Sequence, residues 1–208
     1  MNARRSSSPP ASVAHRLEQI AAALERGEDF EITRLTILKK PCSDSETANR
    51  FALYLAEHAL RLLARRPASP TLEPDRWREI GRSAAQGVES LRAYLADPSS
   101  SAARDMLRAA YASLLEAQNE YRDGSWGRVR SIWSREALVV EGAAACMLHP
   151  HESAYWGYMM ARDFAERYDA RHGTGLIPES APQVREIARF WRQEADNVGA
   201  FSVTSRTR

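Results

Sequence analysis

The sequence predicts an all-α fold, a single-domain bundle of about seven or eight helices. Three observations carry that prediction. Apolar residues recur every three or four positions along most of the chain, and Ser, Asp or Pro at the start and Gly or Pro at the end bracket those stretches. No segment keeps the strict alternation of a half-buried strand. Connections are mostly short, as in a bundle. A chain of 208 residues, 44% of them hydrophobic, buries roughly 70% of its unfolded surface and holds one core without disulfides.

The elements follow in order. Residues 1–11 form a polar tail with the composition of disorder, ahead of a helical domain at 12–199. Val13, Leu17, Ile20 and Leu24 share one helical face, with Ser12 as the N-cap and Gly27 as the stop. The next stretch is rich in Ile and Thr, yet Ile32, Leu35 and Leu38 fall on one helical face, so a short helix ending before Pro41 is preferred to a strand. Ser43 or Asp44 then caps a strong helix through Arg66, on whose apolar face His58 lies with Phe51, Leu55 and Leu62. After Pro67 and Pro70, Pro74 opens a helix to about Ala96 with Ile80, Val88, Leu91 and Leu95 inward.

A fifth pattern runs from Ser100 to Tyr121, with Leu107, Tyr111, Leu114 and Gln118 on one side and Glu116 and Glu120 on the next stripe. Another helix spans about Gly127 to Leu148. From Pro150 a further helix continues to His172, where Gly173 and Gly175 stop it. Pro182 opens the last helix to about Val198, and residues 200–208 read as a disordered tail.

Composition excludes several functions. Cys42 and Cys146 stand alone, so neither a zinc pair nor a redox CxxC exists, and both read as small buried residues of a reducing cytoplasm. Ala137 to Leu148 is the longest apolar run, at 12 residues including Glu141, which is too short to cross a bilayer. Basic and acidic residues number 8 and 7 in 1–50, 7 and 6 in 51–100, 6 and 6 in 101–150, and 8 and 8 in 151–208. That even spread lacks the localised surplus of a nucleic-acid binder. No phosphate loop, HExxH or GxSxG is present. No Glu stands three positions before a His, as a carboxylate-bridged di-iron bundle requires.

Two groups of residues remain as candidate sites. His149, His151 and Glu141 are the candidate ligands of a divalent metal, the cofactor an enzyme built on this bundle would use. Against that, His149-Pro150-His151-Glu152 has the form of a helix start, with His149 as the N-cap. Glu141 is the one charge on an otherwise apolar helix, so it is expected to be buried and to need a partner, most simply an arginine. The second group, Tyr155, Trp156, Tyr158, Met159, Met160 and Phe164, wraps more than one face of its helix and is the candidate interface or ligand-binding surface.

These observations point first to a non-catalytic, cytoplasmic binding or scaffolding protein that acts through protein–protein contacts, forms a homo-oligomer and has no membrane partner. The alternative is a metal- or cofactor-dependent all-α enzyme with a pocket near Glu141, His149 and His151. A second alternative is a nucleic-acid accessory protein using arginine faces.

Overall fold

In a computed structural model of the chain, residues 10–26, 32–65, 74–119, 134–168, 176–178 and 181–204 are described. They form α1 (Pro10–Glu25), α2 (Ser45–Arg65), α3 (Pro74–Ala96), α4 (Ser101–Asn119), α5 (Arg135–Leu148), α6 (Ser153–Ala165) and α7 (Ala181–Thr204). Three 3-10 helices, Ile32–Leu38, Pro41–Ser43 and Pro150–Glu152, link them, and one antiparallel pair joins β1 (Glu166–Tyr168) to β2 (Leu176–Pro178). The all-α class holds. Among the described residues no helix is long and apolar enough to cross a membrane.

Helix α5 stands at the centre because its sequence leaves it no polar face: Ala137, Val139, Val140, Ala143, Ala144, Ala145, Cys146 and Met147 are all buried. Helices α2, α3, α4 and α6 pack around it. The small residues on α5 let its neighbours come close. A Cβ on Gly142 would lie 2.9 Å from Met160 Cγ, so α6 sits directly on the α5 backbone there. Helix α7 lies along α1 and touches α2 and α6. Its seam with α2 is aromatic: Phe51 is 5.0 Å from Phe190 and 5.3 Å from Trp191, ring centre to ring centre. Ion pairs Glu18–Arg192 and Glu25–Arg185 fasten the outside of the α1–α7 pair.

Several boundaries differ from the sequence reading, each for a local reason. Ser12 lies inside α1, which already begins at Pro10, a residue suited to a first helical turn. The stretch before Pro41 is a 3-10 helix, and its apolar spacing fits: Leu35 and Leu38 are fully buried at strict three-residue spacing, the 3-10 repeat. Asp44 rather than Ser43 caps α2, accepting the Thr47 amide at 3.0 Å. Helix α5 starts at Arg135, because Ser134 is extended (φ −157°) and its hydroxyl accepts the Ala137 amide at 3.1 Å.

The expected helix from Pro150 to His172 is instead a 3-10 turn followed by α6, and α6 gives way at Glu166 to the strand pair. Pairing of Arg167 with Ile177 shows why no alternation was visible: each strand is three residues long. Helix α7 continues past Val198 to Thr204. Gly27, Pro67, Pro70, Glu120, Tyr121, Gly127, His172, Gly173 and Gly175, with residues 1–9 and 205–208, lie outside the described residues, as does the side chain of Gln118.

Candidate functional site

The first candidate group sits where α5 ends and α6 begins. His149 closes α5 through its backbone amide, which donates to the Ala145 carbonyl, and it precedes Pro150 at the start of the 3-10 turn. His149 holds the expected N-cap position ahead of Pro150, its carbonyl accepting the Glu152 amide at 2.9 Å, but its side chain makes no cap hydrogen bond. Both His149 and His151 are exposed, their rings nearly perpendicular with centres 6.1 Å apart. His151 Nε2 lies 3.7 Å from Glu152 Oε1, while Glu152 Oε2 accepts the Trp156 indole N–H at 3.1 Å.

Glu141 does not join the two histidines. It stands eight residues earlier on α5, about 12 Å along the axis. It is partly exposed rather than buried, and its charge reaches the Tyr111 hydroxyl on α4, whose pKa is raised by burial first and by Glu141 second. Glu116 is exposed on α4. Among the described residues no three His, Cys, Asp or Glu side chains are gathered so as to hold a metal ion.

Replacing both exposed histidines by alanine is therefore expected to change unfolding stability by no more than about 0.5 kcal/mol, the usual range for surface substitutions. Elemental analysis of untagged protein before and after this change checks the point, since loss of a stoichiometric metal would revive the enzyme reading.

The aromatic group of α6 divides in two. Met160 and Phe164 belong to the core, Met160 lying against Gly142. Tyr155, by contrast, is 50% exposed, and Trp156, Tyr158 and Met159 are partly exposed beside it. Two contacts hold these outer rings in place. Tyr155 meets Trp156 edge-on at 5.2 Å, and the Lys39 ammonium lies 4.8 Å above the Tyr158 ring, a cation–π contact. The result is an oriented strip of aromatic and thioether side chains on the outer face of α6.

Two polar clusters were invisible in the sequence because their members lie far apart along the chain. On the α2–α7 seam, Glu186 Oε1 accepts the Tyr54 hydroxyl at 2.5 Å and lies 2.5 Å from His58 Nε2, while Glu186 Oε2 accepts Arg189 at 2.7 Å. His58 Nδ1 faces the Tyr54 carbonyl at 2.9 Å. His58 is thus a hydrogen-bonded structural histidine at the edge of the core. Burial, reinforced by Glu186, pushes the Tyr54 phenol far above its ordinary pKa, so it stays a donor and never a nucleophile.

The second cluster is the buried pair Arg135–Asp163 at 3.0 Å, with Arg162 3.3 Å from the same carboxylate oxygen. Burial pushes the Asp163 carboxyl above its ordinary value despite the two guanidinium groups. Both cysteines are buried and free. Burial raises the Cys42 thiol well above its usual value, with Cys146 adding to the effect, and pushes Cys146 up to about 12, which leaves both thiols unreactive.

No protein-family model, curated protein or solved structure matches this chain.

Proposed function

We propose that this chain is a non-catalytic helical binding protein that works by protein–protein contact through the outer face of α6, and that its partner is a second copy of itself. The observation that carries this reading is Tyr155, half exposed at the head of a strip that includes Tyr158 and Met159. Aromatic residues and Met are enriched in the cores of protein interfaces, where large side chains ordered in advance lose little entropy on binding. Trp156 and Lys39 supply that ordering here. The ionisable groups with defined partners in the helical seams, Tyr54, His58, Glu186, Arg135 and Asp163, serve packing, and among the described residues the exposed large apolar side chains are Tyr155 on this strip and Met106 on α4.

Light scattering on the full chain at tens of micromolar is expected to report a dimer or higher oligomer. Tyr155→Glu is expected to weaken association about 100-fold, the effect of losing an interface anchor. Circular dichroism should stay unchanged, because the side chain is half exposed. A wild-type monomer under these conditions overturns the reading.

A further inference from the structure

Resting on that reading, we infer that two copies pair α6 against α6 in antiparallel orientation, about a two-fold axis that crosses the outer face of the helix level with Gly157. The outward residues Tyr155, Trp156, Tyr158 and Met159 are centred along α6 on Gly157, which is itself buried, so the side opposite Gly157 at that level is the middle of the outward strip. In a two-fold interface the same patch serves both copies, and a residue that meets another is met by it in return. With the axis there, residues on the midline of the strip and equidistant from Gly157 face each other.

The pairs that this symmetry brings together match in chemistry. Tyr155 meets the partner's Met159, a thioether against a phenol ring. Trp156 and Tyr158 flank the midline on opposite sides, so each meets its own counterpart in the partner, aromatic against aromatic. Glu152, whose side chain is 50% exposed, meets the partner's Arg162, whose side chain is 32% exposed. The charges also decide the orientation. Glu152 and Arg162 stand ten residues apart, about 15 Å along the helix, at opposite ends of the strip. A parallel pairing would set carboxylate on carboxylate and guanidinium on guanidinium, whereas the antiparallel one joins opposites at both ends.

The test uses charge exchange in the full-length protein, read by sedimentation or light scattering. Glu152→Arg alone and Arg162→Glu alone are each expected to weaken self-association about tenfold or more, because each homodimer then holds two like-charge contacts. An equimolar mixture of the two variants is expected to associate as tightly as wild type, since both contacts of the mixed pair join opposite charges. If Arg162→Glu does not fold beside Asp163, single-cysteine variants replace it: Tyr155→Cys mixed with Met159→Cys should cross-link through a short bismaleimide far more than either alone, the native thiols being buried. Dimers indifferent to the charge changes, or variants not restored by mixing, overturn this pairing while leaving self-association standing. A wild-type monomer removes the reading on which the pairing rests.

Discussion

Arg135→Met is expected to destabilise the fold by about 3 kcal/mol at neutral pH, the cost of leaving the buried Asp163 carboxylate with only the partly exposed Arg162 beside it. Arg135 and Asp163 join the first turn of α5 to the inner face of α6 in a region closed to water, with side chains 7% and 12% exposed. Burial already holds the Asp163 carboxyl above its ordinary value of 3.8 with both arginines present, so removing Arg135 raises it further. A carboxyl whose folded-state pKa exceeds its unfolded value contributes stability below the unfolded value and loses it as pH rises through the folded one. The deficit against wild type should therefore be small near the ordinary carboxylate value and reach its full size at neutral pH.

Denaturant titrations at the two pH values measure this. Adding Asp163→Leu should recover most of the loss, because an apolar pair needs no desolvation and Arg162 reaches solvent. A deficit that does not vary with pH, or one below about 1 kcal/mol as at a surface pair, would show that the interaction contributes little.

Gly157→Ala is expected to cost about 2 kcal/mol, although alanine is the better helix former by about 1 kcal/mol. A Cβ at this position would lie 2.6 Å from Cys42 Sγ and 2.7 Å from Cys42 Cβ, and real Cβ atoms do not approach so closely. The sulfur can turn away, but Cys42 Cβ is fixed to the backbone of the Pro41–Ser43 turn, so the whole turn has to shift from α6. Adding Cys42→Ala is expected to return less than half of the loss, because it removes the sulfur contact and leaves the other. Thermal unfolding of the single and double variants decides the point, and a Gly157→Ala protein as stable as wild type would mean that the turn yields freely.

Much of this molecule was legible in its sequence. The period of Phe51, Leu55 and Leu62 on α2, or of Ile80, Val88, Leu91 and Leu95 on α3, names the inward face directly: Leu62 and Leu95 are partly buried and the other five are buried. That signal is local: a residue's face on a helix depends only on its spacing from its neighbours. The central place of α5 was readable for the same reason, since a helix apolar all round has to be covered on every side.

Glu141 marks where this reasoning stops. One charge on an apolar helix predicts burial, yet Glu141 is only partly buried, and its charge acts on Tyr111 of α4. The buried ion pair falls to Arg135 and Asp163, two residues that periodicity does not distinguish from surface charges. His58 could be placed on a core face, but Glu186, 128 positions later, is brought to it only when α7 lies against α2. The same holds for α6. Its sequence shows six large apolar residues without order, and the close approach of Gly142 draws Met160 inward while Tyr155 is left in solvent. The sequence by itself determined that the chain is built of helices and which of their faces are apolar, because both follow from bonds and sterics within a few residues. Only the tertiary structure decided which charges lose water and which aromatics keep it, since desolvation depends on what a distant part of the chain sets on top of them.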